Sequence, residues 1–134
     1  MLVDQEVTFD QLRAAYIKGQ RVFTKIEIAA KEDHLVISGT NLSSSEFIGC
    51  FLHSVKFRDV DFIGASFHEC NLKCTVFENC CLTGSSWKDS AVCSIVWRDC
   101  VTENVRATGL EAYGVAIEDS ESLISYATDK RKSF

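Results

Sequence analysis

The chain has 134 residues, enough for one domain, and its 46% hydrophobic and 25% charged residues suit a continuous core inside a polar surface. Its 14 basic and 19 acidic residues give a net charge of −5, which disfavours direct nucleic-acid binding because phosphates demand neutralising cations. No apolar stretch approaches a membrane span, and the opening Met-Leu-Val-Asp-Gln-Glu lacks the basic and apolar regions of a signal peptide, so a cytoplasmic protein is expected.

At the start of the chain, Thr8-Phe9-Asp10-Gln11 is a capping-box pattern that opens a helix. The spacing of Phe9, Leu12 and Tyr16 puts them on one face, and Gly19 suits the position just past the end. A short helix is therefore predicted over residues 9–18, as part of an N-terminal cap spanning 1–20. Phe23 and Ile28 follow as the first two corners of the next region, and Ala29 to His34 reads as a loop, because 28 to 37 is nine residues rather than ten.

From Ile37 every fifth residue is large and apolar: Leu42, Phe47, Leu52, Phe57, Phe62, Phe67, Leu72, Phe77, Leu82, Trp87, Val92 and Trp97. Two residues before each lies a mostly small one, among them Thr40, Ser45, Cys50, Ala65, Cys70, Thr75, Cys80, Ser85 and Ser90, and the other three positions carry most of the charge. Neither a helix nor a strand has this period. A coil that turns a corner every five residues does, with a large side chain filling the axis and a small one where space is tight. Four sides make a 20-residue coil, and in-register stacking makes ladders of side chains 20 apart. One ladder is Ile37, Phe57, Phe77, Trp97 and Ile117, opposite Phe47, Phe67, Trp87 and Ala107; between them run Leu42, Phe62, Leu82, Thr102 and Leu52, Leu72, Val92, Ala112. In the last repeats volume moves from the large column to the small one, at Val105, Leu110 and Val115, so a distorted or slipped final coil is expected.

The units Thr40-Asn41-Leu42-Ser43-Ser44, Val60-Asp61-Phe62-Ile63-Gly64 and Cys70-Asn71-Leu72 resemble the Ala-(Asp/Asn)-Leu-x-x repeat of the pentapeptide-repeat family, and the resemblance runs from about Leu35 to Asp119. Residues 12–28 are similar to the lead-in before many such repeats. The resemblance implies an all-β solenoid, a right-handed quadrilateral β-helix, here of about four coils with short capping helices. The expected organisation is a single domain over 1–134: a cap to residue 20, the β-helix over 21–119 with its loop near 29–34, and a helix or tail over 120–134. In that last segment Ser120 is the expected cap of a helix carrying Leu123, Ile124 and Ala127, with Lys130-Arg131-Lys132 beyond. This helix either covers the last coil or joins two copies of the chain as a homodimer.

No catalytic, cofactor-binding or metal-binding set stands out, and an enzyme is not expected. His34, His53 and His68 fall in the loop and on two different outward columns. Arg58, Glu78, Arg98 and Glu118 form an outward ladder of alternating sign beside Asp59, Asn79, Asp99 and Asp119, which favours ion pairing over acid–base chemistry. The seven cysteines are odd in number and contain no C-x-x-C. Cys50 lies beneath Cys70 and Cys80 beneath Cys100, within disulfide reach, but a small buried thiol suits the column equally and free thiols are expected. Six glycines, Gly39, Gly49, Gly64, Gly84, Gly109 and Gly114, share one repeat position and serve corners.

The reading that follows is a rigid rod that binds a partner protein of unspecified identity. Its candidate surface is Phe51, Ile48 and Ile63, apolar at outward positions, and Val76, Val96 and Val101 are further outward apolar residues. The family's topoisomerase-protecting members, which resemble a DNA duplex, imply an alternative: a DNA-mimicking protector or inhibitor of DNA gyrase. Residues 35–120 hold 11 acidic and 6 basic residues in its favour, while Arg58, Lys88 and Arg98 interrupt the acidic columns. An immunity or assembly factor is a third class.

Overall fold

A five-residue period becomes a square coil because one residue in each unit bends the backbone the left-handed way. In the computed structural model, which describes residues 1–28 and 36–128, positive φ recurs at every fifth residue. Ser44, Gly49, Ser54, Asp59, Gly64, Glu69 and Cys74 all lie between +56° and +68°. Each stands two residues after a large apolar residue and turns the chain through a corner. Glycine, Asn, Asp and Ser tolerate this conformation best, and proline, whose ring fixes φ near −65°, cannot adopt it.

In chain order the elements are β1 (Glu6–Val7), α1 (Phe9–Ile17), β2 (Val22–Thr24), β3 (Glu27–Ile28), β4 (Val36–Ser38), β5 (Glu46–Ile48), β6 (Lys56–Arg58), β7 (Ser66–His68), β8 (Val76–Glu78), β9 (Ser86–Lys88), β10 (Val96–Arg98), β11 (Arg106–Thr108), β12 (Leu110–Ala112), β13 (Val115–Ile117) and α2 (Ser120–Ala127). They form a right-handed quadrilateral β-helix. The first side is the parallel sheet β4-β6-β8-β10, and the third, facing it, is β2-β5-β7-β9-β11. Single-residue bridges make the other two: Asn41, Asp61, Cys81 and Val101 on the second side, and Glu27, Phe51, Asn71, Ala91 and Glu111 on the fourth.

Register follows the 20-residue stack through the repeats, with Phe57 opposite Phe77 and Phe67 opposite Trp87. Their rings stack at 4.9 and 4.4 Å between centroids, and each such pair adds roughly 0.5–1.5 kcal/mol beyond burial. Across the axis Phe62 meets Phe57 edge-on at 5.1 Å. The β2 strand adds a further turn to those made by the repeats, giving about five in all, but its register is 24 residues: Phe23 pairs with Phe47 and Glu27 with Phe51. The nine-residue step from Ile28 to Ile37 is therefore one five-residue unit carrying four extra residues, not two units short of one. The predicted loop at 29–34 lies outside the described residues.

A helix packs at each end. In α1 the Thr8 capping box forms as expected, with Thr8 Oγ1 accepting from the Gln11 amide at 3.1 Å and Gln11 Oε1 from the Thr8 amide at 2.8 Å. Leu12 and Tyr16 are buried against the first turn, and the Tyr16 hydroxyl donates to the Ser43 carbonyl at 2.8 Å. The first turn is thereby kept from open pairing at this end.

At the far end the stack breaks. Tyr113 and Gly114 both have positive φ, at 53° and 79°, the signature of a two-residue hairpin turn. The chain reverses there, and β13 returns antiparallel on β12, with Ile117 opposite Leu110. Three expectations are corrected by this reversal. Ile117 does not continue the Trp97 ladder; Thr128 bridges Trp97 instead. Glu118 leaves the charge ladder and accepts from the Gly109 amide at 3.1 Å. Asp119 leaves the outward Asp column and, rather than Ser120, caps α2, accepting from the Ser122 amide at 2.7 Å. Leu123 and Ala127 are buried, so α2 covers the last coil of its own chain.

Candidate functional site

The interior leaves no room for a ligand. Large side chains from Phe23 to Trp97 in all four ladders are 0–3% exposed. Among the described residues, surface clefts lie at the two ends, beside α1 and beside α2. The described residues include no cluster of three or more metal-ligating side chains, and no helix long and apolar enough to cross a membrane. His53 accepts or donates one hydrogen bond with the Ser54 hydroxyl, and His68 lies 3.4 and 3.5 Å from Asp89 and Glu69. His34 lies outside the described residues.

The small-column cysteines are free and packed as small hydrophobes. Cys50, Cys70 and Cys100 each donate to a carbonyl of the coil beneath at 3.1 Å, those of Phe23, Phe47 and Phe77. Contact with Cys50 and burial push the Cys70 thiol up, and contact with Cys100 and burial do the same at Cys80, so both stay protonated and unreactive.

On the first side, Glu78 is the hub of the charge ladder. Its carboxylate lies 3.0 Å from Arg58, 3.6 Å from Lys56 and 3.8 Å from Arg98. Partial burial alone raises its affinity for a proton, but the three cations outweigh that and hold the carboxyl below its ordinary range. Asp59 accepts from the Asn79 amide at 2.6 Å beside it. These groups pair with one another and set register, which is what alternating charge on adjacent strands achieves.

The three candidate surface residues are not one patch. Phe51 is 45% exposed on the fourth side, its ring 5.9 Å from that of His53. Ile48 ends a strand of the third side, half-buried between Thr24 and His68, and adjoins Phe51 across the corner at Gly49. Ile63 is 46% exposed, but it sits on the turn that leaves the second side, across the rod from Phe51. Val76 and Val96 are half-buried in their strands, and Val101 is exposed. Exposed residues that the repeat register did not reveal gather at the C-terminal end: Tyr113, Val115 and Tyr126. Their signal was the Tyr113-Gly114 dipeptide followed by a valine at a small-column position.

The family model of the pentapeptide repeat region matches residues 34–120. The chain belongs to the pentapeptide-repeat family. Members of this family are generally structural or interaction proteins rather than enzymes. No curated protein matches it in sequence. Among solved structures it is similar to a trypsin-treated variant of QnrB1, a plasmid-mediated fluoroquinolone resistance protein, at 16% identity and a TM-score of 0.51, over 84% of this chain and 65% of that one. A second trypsin-treated QnrB1 variant aligns at 11% identity and a TM-score of 0.27, over 84% of this chain and 72% of that one. The cyanobacterial pentapeptide repeat protein Rfr23 from Cyanothece 51142 aligns at 13% identity and a TM-score of 0.27, over 87% of this chain and 63% of that one. This pentapeptide-repeat chain thus spans just under two thirds of the first QnrB1 structure, and the likeness concerns the fold.

Proposed function

We propose that this pentapeptide-repeat protein is a non-enzymatic interaction module, a rigid rod that binds a partner protein along its fourth side. The observation that carries this is the contrast between a filled axis and an uneven outside. With the core closed, recognition falls to the surface, and the sides differ in how freely their groups can be used. The first side spends its charges on internal pairing through Glu78. The fourth presents Phe51, His53, Asn71, Cys74, Ala91 and Tyr113 with Lys73 and Glu111 as its charges between Phe51 and Gly114. An exposed aromatic on a low-charge face is the usual anchor of a protein interface.

The test is capture from lysate by the intact chain and by a Phe51→Ser/Ile48→Ser double variant, compared by quantitative mass spectrometry. A partner retained by the first and lost by the second supports the reading. An unchanged set of captured proteins overturns it, and an Ile63→Ser variant reports whether the second side is used instead.

DNA mimicry at a type II topoisomerase is the second reading, favoured by the similarity to a fluoroquinolone resistance protein. Lys56, Arg58 and Arg98 on the first side weigh against it, since they neutralise the acidic groups a phosphate mimic needs. Protection of gyrase supercoiling from a quinolone by added protein would restore it.

A further inference from the structure

Among the described residues, the closing hairpin leaves one strand edge open beside an exposed apolar spot. Glu111 uses both of its backbone groups on the coil below: its amide donates to the Ser90 carbonyl at 3.1 Å, and its carbonyl accepts from the Val92 amide at 2.9 Å. In an antiparallel pair the bonding direction alternates residue by residue. The bonds between β12 and β13 therefore come from Leu110 with Ile117 and from Ala112 with Val115, the pairs on either side of Glu111. Ala116, opposite Glu111, points its N–H and C=O away from the hairpin.

Side chains follow the same alternation. Leu110, Ala112, Val115 and Ile117 share one face of the hairpin. Leu110, Ala112 and Ile117 are buried under the cap, yet Val115 is 64% exposed. Ile117 is buried in the same core as Leu123 and Ala127 of α2, and a cleft of about 780 Å³ lined by Val115 lies between β13 and the helix. Tyr113 and Tyr126 stand at its sides, both anchored to Ser94, through the Ser94 hydroxyl and the Ser94 amide respectively. Among the described residues the lining carries two carboxylates, Asp119 and Glu121, and no cation.

We propose that β13 is a docking edge for an extended segment of a partner protein, which pairs with Ala116, lays an apolar side chain over Val115 and places a cationic residue beside Asp119 and Glu121. Strand addition supplies backbone bonds for affinity, and alternate side chains supply selectivity. The acidic rim selects a basic segment. The proposal rests on the reading of this protein as an interaction module, but it uses a surface at the end of the rod that is separate from Phe51.

The test uses the full chain, labelled with ¹⁵N, and the acetylated, amidated peptide Thr-Val-Lys-Val-Lys-Val-Thr as probe. Binding at this edge slows hydrogen exchange of the Ala116 amide, and Ala116→Pro weakens the peptide about tenfold, the loss expected for a backbone bond. Glu121→Lys weakens it further as salt is lowered, whereas Phe51→Ser leaves it unchanged and so separates this edge from the lateral surface. Should Ala116→Pro lower the melting temperature, alternate N-methylation of the peptide removes the same bonds from the other partner. An Ala116 amide that stays unprotected at millimolar peptide overturns the proposal. So does peptide binding indifferent to both Ala116→Pro and N-methylation. An Ala116 amide already protected in the free protein, with protection rising with protein concentration, assigns the edge to a second copy and also overturns it.

Discussion

The central coils and the closing turn use the same five-residue grammar with opposite results. Between Ile37 and Trp97 the large position holds Phe, Leu, Ile, Val or Trp, the small position stays mostly small, and the ladders run unbroken. From Thr102 onward the large position shrinks to Thr and Ala while Val105 and Leu110 take over the burial. With Ala107 and Ala112 at the axis, a sixth turn has too little to stack on, and the Tyr113-Gly114 turn sends the chain back. A solenoid ends where its axial volume runs out. What remains is an apolar position, Val115, that the cap does not reach.

The largest expected break in this comparison comes from emptying the axis of a central coil. Phe77 touches Phe57, Phe62, Phe67 and Trp87, so Phe77→Ala should cost about 3–5 kcal/mol in denaturant unfolding. Removing the Tyr113 ring should cost far less there, because that ring is 72% exposed. Equal losses would mean that the end of the rod is as much a part of the cooperative core as its middle.

Next in size is the corner position. Gly39 and Gly109 both have positive φ, but a Cβ on Gly39 meets nothing among the described residues, whereas one on Gly109 would collide with Asp89 Oδ1. Gly39→Ala should cost about 1 kcal/mol for the left-handed backbone alone. Gly109→Ala should cost more, and the excess should vanish in an Asp89→Ala background, as a double-mutant cycle would show.

A smaller effect separates two serines of one column. Ser85 Oγ accepts from Trp87 Nε1 at 2.8 Å, whereas Ser45 Oγ is buried with no partner among the described residues. Ser85→Ala should cost about 1–3 kcal/mol by orphaning a buried N–H, and Ser45→Ala should be neutral or stabilising. Ala65, between them in the same ladder, shows that the column accepts the methyl.

The smallest effect is electrostatic. The three cations hold Glu78 below its unfolded proton affinity, so its contribution is complete above the ordinary carboxylate range and fades as pH falls through the depressed folded value. Half-exposed pairs of this kind are worth about 0–1 kcal/mol. The stability difference between the intact chain and Glu78→Gln should therefore shrink with acidification; a difference that grew would reverse the assigned sign.

Most of the fold was legible in the sequence because the period is a direct record of geometry. Phe57 over Phe77, the Thr8 capping box and the burial of Cys50 and Cys70 all follow from spacing. The first turn was not legible in register, since four extra residues after Ile28 hide the pairing of Phe23 with Phe47. Nor was the fate of Ile117, Glu118 and Asp119, because a period read forward assumes that the chain keeps going, and two consecutive left-handed residues reverse it. The candidate surface was legible only as a parity. Register told that Phe51, Ile48 and Ile63 point outward, but how far Ile48 stands clear depends on Thr24 and His68 beside it.

The 24-residue first turn has an implication for how such chains change length. The ladders on either side of Ile28 keep their partners although the path between them is longer than a unit requires. Flanking ladders that keep their partners across four extra residues separate chain length between Ile28 and Val36 from the register on either side. Segments grafted between Ile28 and Val36 should therefore leave the pairs Phe23–Phe47 and Ile37–Phe57 in place, and an unchanged melting temperature of the insertion variant would check it.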